Sequence, residues 1–313
     1  MSTYLDIQSG HYRCEVSPFG GGLASLTFQG ENLVAPYGDH GFPPLSAQTL
    51  LAPWPNRTAD GVFAHEGIIH RLDITEPGRM TAIHGFVASE EWEVLDHGET
   101  SVRLGLRFPG QPGWPWPMRY EVTWSVEEDA GLSGVVTIAL EDAAESSCPL
   151  GFGWHPYLVA RGAHVDECTL TVPVSTSLPL DPQRNLPAGP ESPIEGAVAG
   201  LASGVPLRGV WLDHCFGGVE SPGEGMIRAR LLDDGGRGVE LLADARTRWF
   251  QIFTADPARR EGYPGLGRAL AVEPMTCPPN ALRSGRDLLT LNPGEEFSFH
   301  LGIRAIGPDL PEA

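Results

Sequence analysis

Residues 101–140 read SVRLGLRFPG QPGWPWPMRY EVTWSVEEDA GLSGVVTIAL, and the alternation inside them decides the fold class. Val102, Leu104, Leu106 and Phe108 fall on one face of an extended chain, with Arg103, Gly105 and Arg107 on the other. After a Gly/Pro turn the pattern repeats. Tyr120, Val122, Trp124 and Val126 alternate with Glu121, Thr123, Ser125 and Glu127, and the acidic EEDAG turn leads into the apolar run VVTIAL. Two successive segments of period two and a third, apolar run, joined by Gly/Pro or acidic turns, predict antiparallel strands. Working outward, similar short strands are expected at 67–75, 169–174, 249–254 and 297–303. No amphipathic helix longer than about three turns is readable. With 39 Gly and 29 Pro spread along the chain, the expectation is an all-β sandwich or barrel rather than a doubly wound sheet.

Residues 177–206 resist strand assignment, because Pro179, Pro182, Pro187, Pro190, Pro193 and Pro206 interrupt them. Their apolar side chains, Leu178, Leu180, Leu186 and Ile194, point to a loop lying on one large domain, residues 1–313, rather than to a linker between two. At 313 residues the chain is long enough to bury roughly 75% of its unfolded surface without staples. Its five Cys (Cys14, Cys148, Cys168, Cys215, Cys277) are widely spaced and lack a C-x-x-C pair, which predicts reduced, packed thiols. The N-terminal MSTYLDIQSG lacks a signal pattern, and no apolar run approaches the ~18 residues of a membrane span. The chain therefore reads as soluble and cytoplasmic.

All 21 basic residues are Arg, and the chain has no Lys. Imine-forming chemistry, pyridoxal phosphate attachment and a lysine-containing phosphate loop are thereby excluded. Against 21 Arg stand 40 Asp+Glu, a formal net charge of -19. That balance opposes binding to nucleic acid or to an anionic membrane surface. Two strings imitate motifs without meeting their requirements, and a third motif is missing. HEGIIH (65–70) spaces its histidines five apart, so they cannot share one helical face to hold zinc. GYPGLG (262–267) has the wrong glycine order for a dinucleotide fingerprint. No G-x-S-x-G elbow presents a nucleophile.

Four strings place polar, chemically capable residues beside aromatics and rigid prolines. In LLAPWPNRTADG, Asn56 and Arg57 follow Pro53, Trp54 and Pro55, so the pair leaves a stiff turn; Arg57 is suited to sugar hydroxyls or to a carboxylate such as Asp60. AIHGFV carries His84. GFGWHPYL carries His155 between Trp154 and Tyr157, aromatic faces on which the C–H surface of a sugar stacks. AVEPMTCPPNAL sets Glu273 at the end of an apolar run, where an unpaired carboxylate is costly unless it serves as a base. Asp213, in WLDHCF, is a weaker fifth signal.

The order Asn-Arg, His-Gly, Gly-x-His-Pro-Tyr, Asp near Cys-Phe and Glu-Pro resembles the aldose 1-epimerase (galactose mutarotase) family over nearly the whole chain. The resemblance implies a large antiparallel β-supersandwich, a shallow sugar cleft, and neither metal nor organic cofactor. It implies a general base at Glu273, a general acid at His155, and substrate contacts from His84, Arg57, Asp213 and Asn56, with Trp154 and Tyr157 beside them. The expected reaction interconverts the α and β anomers of a free aldohexose through ring opening. Trp92, eight residues after His84, is also similar to hexose-6-phosphate epimerase relatives. An anionic sugar would require extra cations, for which Arg161, Arg71 and Arg79 are the nearest in sequence. The net charge favours a neutral aldose. Two further alternatives are a non-catalytic carbohydrate-binding protein on this fold, which has no use for a paired acid and base, and a polysaccharide-active enzyme, which needs paired carboxylates. Monomer or dimer is not legible.

Overall fold

The alternation quoted above is realised in the computed structural model, which describes residues 4–38, 42–220, 223 and 225–310. Along strand Met118–Glu127, Met118, Tyr120, Val122, Trp124 and Val126 are buried and the residues between them are half-buried. This strand pairs antiparallel with Ser101–Phe108 on one side and Gly131–Leu140 on the other. The ladder continues through Glu296–Ile306, Gly238–Ala243, Ile227–Asp233, Cys168–Thr171 and Val205–Pro206, with Glu93–His97 at the opposite edge, to make nine strands. Trp124 packs over Gly134 on the next strand, where an added Cβ would lie 2.3 Å from the indole. Only glycine leaves room for the ring there.

A second sheet of eight strands is built around Asp213–Gly217, Trp249–Ala255 and Ala269–Met275, and Gly153–Trp154, Tyr157–Leu158 and Leu50–Leu51 flank it. Its central strands are buried along their full length. One face supplies Phe250, Ile252, Leu270 and Val272 to the same apolar cluster as Val122, Trp124, Ile138 and Phe299 of the first sheet. Period two then obliges the intervening residues to face away from that core. A four-stranded N-terminal sheet spans Leu5–Ser9, Tyr12–Val16, Leu23–Phe28 and Glu31–Asn32.

The Pro-rich stretch is more structured than its composition implies. Thr176–Leu178 and Ser192–Pro193 extend one end of the eight-stranded sheet, and Val205–Pro206 forms one edge of the nine-stranded sheet. Proline lacks an N–H to donate, so Pro193 and Pro206 sit on edge strands, where one side needs no partner. The expected strand at 67–75 is shorter, Ile68–Arg71, and HEGIIH forms a hairpin in which His70 stacks on Phe63. GYPGLG closes as a turn, Tyr263 and Gly267 exchanging backbone hydrogen bonds. Among the described residues the sole α-helix is Ala281–Ser284, and no helix is long and apolar enough to cross a membrane. All five cysteines are buried and free.

Candidate active site

The outward face of the eight-stranded sheet floors a cleft of about 190 Å³. Gln251 lies directly across from Glu273 and Cys215 across from Gln251, which places these three side chains in one row on that face. Asp213 is diagonal to Gln251 and accepts a hydrogen bond from its Nε2 at 3.0 Å. His155 enters from the adjoining strand segment, with Nε2 3.4 Å from Oε1 of Glu273. Its ring stacks on Tyr157 at 5.3 Å between centroids and meets His84 edge-on at 5.5 Å.

The facing wall comes from two short strands, Arg57–Ala59 and Thr81–Ile83. Asn56 and His84 both adopt left-handed backbone conformations, with φ of 56° and 64°. Asparagine tolerates this region; for histidine it is uncommon. The surroundings enforce it: the His84 N–H donates to the Asn56 carbonyl at 3.0 Å, and the Asn56 N–H donates to Nδ1 of His84 at 3.2 Å. Gly85 follows because an added Cβ would lie 1.9 Å from the Ala52 carbonyl oxygen. A backbone N–H can only donate, so Nδ1 of His84 is an acceptor and the neutral ring carries its proton on Nε2. Burial, then the neighbouring His155, holds the His84 pKa well below its ordinary value. His84 is therefore a fixed neutral donor.

Arg57 is held along one edge. Its Nε and Nη2 donate to Glu76 at 2.7 and 2.9 Å. Burial raises the Glu273 carboxyl well above its ordinary value, the Asp213 charge adds to this, and Arg57 opposes it. Burial likewise pushes His155 down to about 4. The 3.4 Å contact has the spacing of an ion pair, but desolvation on both sides favours a protonated carboxyl beside a neutral imidazole. The two arrangements differ by one proton moved between the partners. Nδ1 of His155, Oε2 of Glu273, Oε1 of Gln251 and the Tyr157 hydroxyl make no hydrogen bond within the protein. Buried polar atoms are rarely left so, and all four belong to residues that line this cleft.

Seven of the eight residues singled out in the sequence line this cleft: Asn56, Arg57, His84, His155, Tyr157, Asp213 and Glu273. Trp154 does not. It is fully buried, packs on Trp124 at 5.4 Å, and its indole donates to the Gln48 carbonyl. The cause is strand alternation: His155 and Tyr157 face the cleft, so the residue between Gly153 and His155 faces the core. Arg57 pairs with Glu76, while Asp60 pairs with Arg184 and Arg283. Of the cations considered for an anionic sugar, Arg161 is locked to Glu31 and Asp309, away from the cleft, and Arg71 ends the hairpin strand Ile68–Arg71. Arg79 reaches the wall through Glu76. Sequence reasoning missed Gln251, Glu76, Phe253 and Arg260, which also line the cleft. Gln251 carried a usable signal, as the lone amide in the apolar run WFQIF.

The chain and its fold have relatives. The chain matches the aldose 1-epimerase family model over residues 3–304. The uncharacterized protein YihR of Escherichia coli K12 is 32% identical over 299 residues, covering 96% of this chain and 92% of that protein. A galactose mutarotase-like protein from Clostridium acetobutylicum superposes with a TM-score of 0.81 at 18% identity, covering 96% of this chain and 94% of the other. Galactose 1-epimerase from Lactobacillus acidophilus superposes at 0.78 with 15% identity, covering 95% and 92%. At these identities the structures show the fold, an all-β galactose mutarotase-like supersandwich; the sequence match over almost every residue shows more. The chain belongs to the aldose 1-epimerase family.

Proposed function

We propose that the protein is a cofactor-independent aldose 1-epimerase that interconverts the α and β anomers of a free aldohexose. The observation that carries this reading is the buried His155–Glu273 pair on the cleft floor, 3.4 Å apart and with unsatisfied atoms on both partners. Glu273 accepts the proton of the C1 hydroxyl, the C1 to ring-oxygen bond breaks, and His155 protonates the ring oxygen. Rotation about C1–C2 and the reverse proton movements close the other anomer. His84 Nε2–H, Arg57, Asp213 and Gln251 hold the remaining hydroxyls, so reacting atoms stay aligned. A sugar hydroxyl donating to Glu273 favours the carboxylate, which sends the pair's proton to His155, where the acid is needed.

The competent pair holds one proton. Activity falls on the acid side when a second proton binds, a step that the lowered His155 pKa of about 4 delays. It falls on the alkaline side when Glu273 loses its proton, which its raised pKa delays. A bell-shaped profile for kcat/KM follows, with limbs that belong to the pair jointly.

A neutral aldose fits best because the cleft's guanidiniums are matched: Arg57 faces Glu76, and Arg260 lies 3.5 Å from both Asp213 and Glu261. The small cleft, below the roughly 300–1,000 Å³ of drug-sized pockets, suits one monosaccharide rather than a polysaccharide. One observation favours an anionic sugar as a second reading. Arg79 shares the single Glu76 carboxylate with Arg57, which leaves one positive charge in excess on that wall. The test follows optical rotation of freshly dissolved α-glucose, α-galactose, a hexose 6-phosphate and a sulfosugar. Acceleration of the neutral sugars supports the first reading, acceleration of the anionic ones alone supports the second, and buffer rates throughout defeat both. A purely carbohydrate-binding protein would bind sugars and give that last result.

A further inference from the structure

Glu76 lies in the turn EPGRM, outside every string that the sequence singled out, and has the look of an ordinary surface carboxylate. Its surroundings are not ordinary. Oε2 accepts from Arg57 Nε at 2.7 Å and from the Thr81 hydroxyl at 2.7 Å. Oε1 accepts from Arg57 Nη2 at 2.9 Å and lies 3.3 Å from Arg79 Nε. Each oxygen thus has two donors, which uses the acceptor capacity of a carboxylate. Glu76 has nothing left to offer a sugar. Its backbone is fixed as well, since Glu76 and Thr81 exchange N–H···O bonds across the turn.

The consequence falls on Arg57. A guanidinium is a planar fork with five donors, and the bidentate pair with Glu76 consumes the Nε/Nη2 edge. Nη1 has only a 3.4 Å contact with Oδ1 of Asn56. Arg57 and Asn56 both line the cleft, so the Nη1 edge, which has no carboxylate partner, is the one left for a ligand. We propose that Glu76 is a positioning residue that selects which edge of Arg57 meets the substrate and balances its charge beside the His155–Glu273 pair. The charged and titratable groups facing that pair are Arg57, His84, Asp213, Tyr157 and Cys215, with Arg260 and Glu261 on the same cleft lining. Arg57 is the cation that acts on both members of the pair, whereas Arg260 lies against Asp213 and Glu261, so the balancing of Arg57 by Glu76 reaches the reacting groups through space.

The proposal deepens the epimerase reading, and its test separates the two. In ¹⁵N spectra at neutral pH, the Arg57 Nε–H resonance of the native protein is expected to be sharp and slow to exchange, and to be lost in Glu76→Gln. This arm needs no activity. On whichever sugar the native protein turns over, Glu76→Gln is expected to raise KM about tenfold and change kcat less than threefold. Both limbs of the pH profile should move to lower pH in Glu76→Gln, where Arg57 is uncompensated, and to higher pH in Arg57→Gln. Adding Glu76→Gln to Arg57→Ala should cost nothing further, since residues acting as one unit are not additive. Asp60→Asn, which removes a nearby carboxylate that does not touch Arg57, should leave KM and the profile unchanged. Thr81→Val, which withdraws one donor from Glu76, supplies a milder version should Glu76→Gln fold poorly. An unchanged pH profile, additive losses, or an Arg57 resonance indifferent to Glu76 would overturn the proposal. Absence of turnover on any sugar, with the resonance behaving as described, would sink the epimerase reading and leave Glu76's hold on Arg57 standing.

Discussion

Strands Met118–Glu127 and Ala269–Met275 sit in facing sheets and contribute to the same core, but they differ in what their second face meets. In the first, buried and half-buried residues alternate along nine positions. In the second, all seven residues are buried, and Glu273 among them is 2% exposed. The first strand is a structural element with one wet face. The second is dry on both faces, one covered by the core and the other by the cleft wall. A carboxyl on its cleft face is deprived of water, which raises its pKa and favours the protonated form. The comparison predicts that substitutions in the two strands separate activity from stability.

The largest expected effect is on the dry strand. Glu273→Gln keeps size and hydrogen-bonding shape but removes the proton acceptor, so kcat for anomerisation should drop by about 10²–10⁴, the range of general acid–base contributions. Sugar affinity should stay within a few-fold, measured by calorimetric titration alongside polarimetry. Weakened binding with unchanged turnover at saturation would instead give Glu273 a holding role.

The wet strand should show the converse. Val122 is fully buried opposite Leu104 and Val136. Val122→Ala deletes two methyl groups and leaves a cavity, which costs about 2–3 kcal/mol of folding stability. Urea denaturation should report that loss, while kcat per folded molecule at 25 °C stays within twofold. A drop in kcat comparable to that of Glu273→Gln would mean that the two sheets are not separable in this way.

The difference between the strands also explains what was legible. Period two is visible only where water claims every second residue, so 101–140 announced the fold directly. On the dry strand the pattern vanishes, and the signal becomes a single polar residue in an apolar run. Glu273 was readable by that rule, as Gln251 would have been. Trp154 was misplaced because its aromatic character was weighed and its alternation with His155 was not. Glu76 and Arg260 carry no local signal, since turns bring them to the cleft and only tertiary contacts give them partners. Arg161 shows the opposite error of proximity: it follows the GWHPYL string closely, yet its chain turns away through a left-handed conformation (φ 50°) to the Glu31–Asp309 pair.

The smallest expected effect has the opposite sign to most substitutions. The Glu273 carboxyl is held above its ordinary value by burial. Between the unfolded carboxyl's pKa of about 4.3 and the raised folded value, the folded protein binds more protons than the unfolded chain. Stability contributed by this group is therefore fully present below the unfolded pKa and is lost as pH rises through the folded pKa. Glutamine has no such slope. Glu273→Gln should then be more stable than the native protein at pH 7, by on the order of 1 kcal/mol, the scale on which strained functional sites trade stability for activity. The gain should shrink as pH falls towards 4.5, because close to the unfolded pKa a large share of the unfolded carboxyls is protonated as well and the two states differ less in bound protons. Melting temperatures of both proteins at pH 4.5 and 7 decide the matter. A variant that melts lower at both values would mean that the ionised carboxylate is stabilised in the fold, and that Glu273 does not bear the desolvation its burial implies.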